Sequence, residues 1–115
     1  MQRGEIAIVD LAPTRGTEAD KRRPAIIVSN DGANATASHL GRGVVTVVPV
    51  TSNISRVYPF QVLLPAAATG LPQDTKAQAE QVRSIAGERV SVTAAVVPAS
   101  IMNALDDALR LHLAL

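Results

Sequence analysis

Arg23-Pro24-Ala25-Ile26-Ile27-Val28-Ser29-Asn30 and Gly43-Val44-Val45-Thr46-Val47-Val48-Pro49-Val50-Thr51-Ser52-Asn53 decide how the chain is read. Each is a short β-branched run bounded by turn formers, which is the pattern of a buried strand. Pro24 biases Arg23 toward extended backbone, and Ser29-Asn30-Asp31-Gly32 closes the first run as a turn cluster. Pro49 has no backbone N–H, so it predicts that the second run ends on an edge.

Working outward, Glu5 to Leu11 reads as a first strand closed by Pro13, and a polar loop leads from there to Arg23. Ala33 to Leu40 has room for a helical turn before Gly41-Arg42-Gly43. Val57 to Leu64 supplies a fourth strand with Phe60 in the core, a loop carrying Pro65, Gly70 and Pro72 follows, and Lys76 to Ile85 supplies a fifth strand. From Pro98, the residues Ile101, Leu105, Leu109 and His112 or Leu113 recur at helical spacing, which predicts an amphipathic C-terminal helix. The order of elements predicts one domain over residues 1–115, mainly β (α+β), in which a compact, strongly bent β barrel is covered by that helix.

Composition narrows the function. Nearly half the chain is apolar, 47%, yet it holds one Tyr, one Phe and no Trp, so the core must be aliphatic. No apolar run approaches the roughly 20 residues needed to cross a bilayer, and Met1 to Glu5 is not a signal peptide, so no membrane partner and a cytoplasmic location are expected. The absence of cysteine removes disulfides, zinc thiolates and thiol nucleophiles. A net charge of +1 is no broad nucleic-acid footprint, so any basic site must be local, and Arg15, Lys21, Arg22 and Arg23 cluster around Glu18 and Asp20. A solvated loop explains that cluster as readily as a phosphate site does.

There is no glycine-rich phosphate loop, no H-E-x-x-H and no G-x-S-x-G. His39, in a loop, and His112, near a helix C-terminus, read as structural, and Asp106-Asp107 as a solvated helix face, because neighbours on a helix diverge. What remains is a guanidinium at one strand end, Arg23, and two hydroxyls and an amide at another, Thr51, Ser52 and Asn53. Taken alone, these are also what a packed arginine and a capping threonine look like.

In combination they resemble the MazF/PemK family of toxin endoribonucleases. Gly4-Glu5-Ile6 and Val9-Asp10-Leu11 resemble its opening segment, Pro13, Gly16 and Glu18 its P-x-x-G-S-E loop, and Arg23 to Asn30 its R-P strand. Pro49-Val50-Thr51-Ser52 is similar to the strand end that carries a catalytic threonine, and Tyr58-Pro59-Phe60-Gln61-Val62 and Glu80-Gln81-Val82-Arg83-Ser84-Ile85 complete the order over nearly the whole chain. Thr17 stands where many members have Ser, and Ala7 replaces an aromatic residue, which predicts a missing packing or stacking surface near the groove.

The resemblance implies an SH3-like barrel of the MazF/CcdB type and a homodimer neutralised by a cognate antitoxin. It also implies metal-independent, cofactor-free cleavage of single-stranded RNA by the RNA's own 2′-hydroxyl, leaving a 2′,3′-cyclic phosphate and a 5′-hydroxyl. It points to Arg23 and Thr51 as the catalytic pair. Glu18 is either the acceptor of the 2′-hydroxyl proton or an orienting group for the basic loop. Thr17, Lys21, Arg22, Ser52, Asn53, Lys76, Gln78, Glu80 and Gln81 are implied RNA contacts, although the last four also fit an exposed strand face. Two other classes fit less well. A CcdB-like gyrase poison lacks its aromatic end at Leu113-Ala114-Leu115, and a noncatalytic RNA-binding module would have only Tyr58 and Phe60 for stacking.

Overall fold

The computed structural model describes residues 1–11 and 22–115. In chain order the elements are β1 (Glu5–Asp10), β2 (Arg22–Ile27), α1 (Asp31–Leu40), β3 (Val44–Thr51), β4 (Gln61–Leu64), α2 (Ala66–Thr69), β5 (Thr75–Gln78), β6 (Arg83–Ala86), β7 (Val90–Val96) and α3 (Ala99–Leu113). Seven antiparallel strands make one sheet in the order β4-β5-β3-β2-β1-β7, with β6 also pairing β3. The two ends of that path, β4 and β7, do not pair with each other among the described residues, so the barrel is open.

β3 organises the sheet. Along one side it pairs with β2, and along the other it pairs first with β6, from Val44 to Val47, and then with β5, at Val50 and Thr51. Pro49 therefore stands inside the sheet, and the edge expected from its missing N–H is a gap between two partners. The expected fifth strand is broken opposite that gap. A 3₁₀ turn at Ala79–Gln81, closed by Val82 N–H donating to Ala79 O at 3.1 Å, divides it into β5 and β6. Ala79 is fully buried in the bend, where a larger side chain would have no space.

Successive side chains on a strand point to opposite faces, so β1, β2 and β3 feed two cores. On one side Ile6, Ile26, Val48, Val50 and Leu64 pack under Met102, Leu105 and Ala108 of α3. On the other, Ala7, Val9, Ala25, Ile27, Val45, Val47 and Ile85 pack under Ala37 of α1. The expected helix is thus present, with Leu105 fully buried, Ile101 and Leu109 half-buried and Leu113 exposed. Ala7 is fully buried in the α1-side core, opposite Ala25 and Val92.

α1 is longer than a single turn because both its ends are capped. Asn30 Oδ1 accepts from Ala33 N–H at 2.8 Å, and Gly41, at φ 64°, turns its N–H back to Ser38 O. His39 thereby lies in the last turn of α1, as His112 does in α3, where a cation meets the helix C-terminus favourably. The buried Asn34 locks the helix to the sheet: Ser29 Oγ donates to its Oδ1, its Nδ2 donates to Ser29 O, and Thr46 N–H donates to Ser29 Oγ. β7 has no counterpart in the sequence reading because its burial alternates weakly. It is fixed by pairing with β1 and by Thr93 Oγ1, which donates to Ile6 O at 2.6 Å where the register shifts. Among the described residues no helix is long and apolar enough to cross a membrane.

Leu105→Ala should destabilise the fold by about 2–5 kcal/mol in equilibrium denaturation, whereas Leu111→Ala, on the exposed face of the same helix, should change stability by less than about 0.5 kcal/mol.

Candidate functional site

Antiparallel pairing brings the N-terminal end of β2 beside the C-terminal end of β3, since Ala25 lies opposite Pro49. Arg22, Arg23 and Pro24 therefore meet Val50, Thr51 and Ser52 at one rim of the sheet. The segment joining α2 to β5 supplies the facing wall with Leu71, Pro72, Gln73 and Thr75, and the enclosed cleft measures about 280 Å³. Arg23 and Ser52 are exposed there, and Thr51 is half-buried.

Local geometry sets what each group offers. Thr51 Oγ1 accepts a hydrogen bond from Asn53 N–H at 3.2 Å, so the proton that the hydroxyl can give is its own. Asn53 itself does not line the cleft; its Oδ1 accepts from Ser55 Oγ at 2.9 Å and holds the turn that orients Thr51. Thr75 contributes a second hydroxyl. Its Oγ1 is buried at the cleft wall with no hydrogen-bond partner among the described residues, which is costly unless a bound group supplies one. Sequence reasoning missed this wall, because Leu71 to Thr75 carries no motif and reaches Arg23 only through the fold.

Beyond the cleft the same surface continues across the strands. Thr51 lies opposite Lys76, Lys76 opposite Leu63, and Gln78 opposite Gln61, so these five share the outward face of β3, β5 and β4. Lys76 is buried, at 7% exposure, where an exposed strand residue was expected, because its Nζ reaches across to donate to Arg56 O at 2.6 Å. Glu80 accepts from Gln61 Nε2 at 2.7 Å through Oε2, and its Oε1 is buried without a partner among the described residues. Gln81 is exposed on the 3₁₀ turn. Phe60, expected in the core, belongs to neither core cluster and stacks on Tyr58. Thr17, Glu18 and Lys21 lie outside the described residues.

The two aspartates on α3 are placed as their spacing predicts. Asp106 pairs with Arg3 and Asp107 with Arg110, so both serve the fold and neither joins the cleft. The cleft is therefore lined, among the described residues, by guanidinium, hydroxyl and amide groups with no carboxylate. Such a donor set receives an anion of several oxygens.

Known proteins share this fold. Residues 2–113 match the family described as PemK-like, MazF-like toxin of type II toxin-antitoxin system. Endoribonuclease MazF9 of Mycobacterium tuberculosis is 65% identical over 113 residues, which cover 98% of this chain and 96% of that protein. Endoribonuclease EndoA of Bacillus subtilis is 28% identical across 100% of this chain and 96% of its own. The crystal structure of MazE-MazF from Deinococcus radiodurans superposes with a TM-score of 0.78 at 27% identity, covering 100% of this chain and 96% of that one. With a match spanning nearly every residue, the chain belongs to the PemK-like, MazF-like toxins of type II toxin–antitoxin systems.

Proposed function

We propose that the protein is a metal-independent endoribonuclease toxin that cuts single-stranded RNA through the substrate's own 2′-hydroxyl. The observation that carries this reading is the meeting of Arg22, Arg23, Thr51 and Ser52 in one cleft free of carboxylates among the described residues. The 2′-hydroxyl gives its proton to water as its oxygen attacks the adjacent phosphorus, the bond to the 5′-oxygen breaks, and the products are a 2′,3′-cyclic phosphate and a 5′-hydroxyl. Negative charge builds on the nonbridging oxygens of the phosphorane between these steps. Arg23 meets that charge with fixed donors, and the Thr51 hydroxyl, held by Asn53 N–H, adds one more.

A guanidinium is a poor proton acceptor, so Arg23 also serves as the acid that protonates the departing 5′-oxygen. Arg22 and Ser52 hold the flanking phosphate, and Thr75 Oγ1 finds its missing partner there. Glu18, with Thr17 and Lys21, orients the basic loop next to Arg22. The whole of residues 1–115 acts as this one domain, in the cytoplasm, as a homodimer. A cognate antitoxin blocks the groove with an acidic segment that meets Arg22 and Arg23; the complex named MazE-MazF, on the same fold, supports an inhibitory partner of this kind.

Arg23→Ala should lower kcat by about 100-fold or more without shifting the thermal midpoint, since the side chain is exposed and the aliphatic core is untouched. Thr51→Ala should slow cleavage less, and Glu18→Gln, which keeps length and removes charge, less again. The chemistry is checked by replacing the 2′-hydroxyl at a mapped cut with hydrogen, which should leave that RNA uncut although it still binds. Cutting of the deoxy-substituted RNA, or activity lost in EDTA and restored by magnesium, would mean that water or a metal does the work.

A further inference from the structure

The chain's one tyrosine and one phenylalanine are not in its interior. Tyr58 and Phe60 lie on the loop between β3 and β4 with ring centroids 5.3 Å apart and planes within 1° of parallel, and Tyr58 remains 41% exposed. Keeping large apolar rings at the surface forfeits the stabilisation that burial would bring. This loop is nevertheless held tightly. Lys76 Nζ donates to the Arg56 carbonyl, Tyr58 N–H donates to Gln61 Oε1 at 3.1 Å, Gln61 N–H donates to Tyr58 O at 2.8 Å, and Glu80 fixes the amide of Gln61. The Arg56 guanidinium lies 5.2 Å from the Tyr58 centroid, and Lys76 Nζ 5.9 Å.

Resting on the endoribonuclease reading, we propose that Tyr58 and Phe60 form a stacking subsite for one unpaired base of the RNA, with Arg56 taking that nucleotide's phosphate. Three observations converge on it. Tyr58 is exposed with the half-buried Phe60 stacked on it, and their loop is hydrogen-bonded in place before any ligand arrives, so little order is lost on binding. The exposed Arg56 guanidinium lies over the Tyr58 ring, so a base that takes the ring face moves that cation onto its own phosphate, as a nucleotide rather than an apolar partner allows. It also adjoins the cleft, because Lys76, beneath the loop, is the cross-strand neighbour of Thr51 on the same face. A base seated there belongs to a nucleotide next to the one being cut. Since every base offers a π-face, this subsite reads base identity weakly and mainly fixes the register of the strand.

The absence of tryptophan makes Tyr58 its own reporter. A short single-stranded RNA spanning a mapped cut, with 2′-deoxyribose at the attacking nucleotide, should quench the tyrosine emission on binding. Tyr58→Leu should raise KM roughly tenfold with kcat nearly unchanged, while Tyr58→Phe should keep the original KM. Abasic substitutions along the same RNA should reveal one position whose loss weakens binding to the unmodified protein but not to the Tyr58→Leu protein. Such coupling is a signature that a merely loosened loop would not give. RNA that binds with full affinity but leaves the emission unchanged, or abasic effects that are the same for both proteins at every position, would overturn the subsite alone. RNA that neither binds nor is cut would remove the endoribonuclease reading and the subsite with it.

Discussion

Sharing β3 between partners on both sides is the constraint on which the rest of the structure depends. A strand hydrogen-bonded to β2 along one side and to β6 and β5 in turn along the other has no freedom to slide. A slip of one residue would exchange the side chains of Val47 and Val48 between the two cores, and both positions are fully buried. Register is therefore fixed from both faces, and with it the position of Thr51 at the strand's last residue. Pro49 is tolerated only because its missing donor coincides with the 3₁₀ turn where β5 gives way to β6. The strand break and the proline are one device seen from its two sides.

The cleft inherits that precision. Arg23 is placed by β2, Thr51 by β3, and the two strands are tied by three consecutive pairs ending at Ala25 and Pro49. An electrostatic site of this type gains its effect from groups that need not rearrange as charge develops. Here the arrangement comes from the sheet itself, and the buried Thr75 hydroxyl without a partner stands ready on the opposite wall. The acids Asp106 and Asp107 pair with Arg3 and Arg110 on α3, away from the cleft.

Much of this was legible in the sequence, and what was missed has physical causes. β-branched runs and turn clusters disclosed β1 to β4, because those signals are local. Arg23 beside a proline and Thr51 at a strand end were legible only as polar groups at strand ends, and it was the family resemblance that paired them. β7 was not recoverable. Val90–Val96 buries its residues only partly, so its pattern resembles a loop until β1 pairs with it. Lys76 and Phe60 misled for opposite reasons: a charged side chain is buried by a distant carbonyl, and an apolar one is held outside by a stacking partner two residues away. Neither partner is visible in a one-dimensional pattern. The wall from Leu71 to Thr75 shares that difficulty, because its meaning comes wholly from what it faces.

A division of labour between strand ends and loops has an evolutionary consequence. Arg23 and Thr51 are anchored in strands whose neighbouring residues are packed in the cores, so a substitution near them disturbs the core. The loop from Ser52 to Phe60 is tied down by backbone carbonyls and by Gln61, Glu80 and Lys76, and its own exposed side chains at Ser55, Arg56, Val57 and Tyr58 support no core cluster. Ser55 still holds the turn that orients Thr51, whereas Arg56, Val57 and Tyr58 can change without endangering the fold. Related toxins can therefore diverge in how they seat their RNA while the bond-breaking groups stay the same, and each such change begins as a surface substitution of negligible cost to stability.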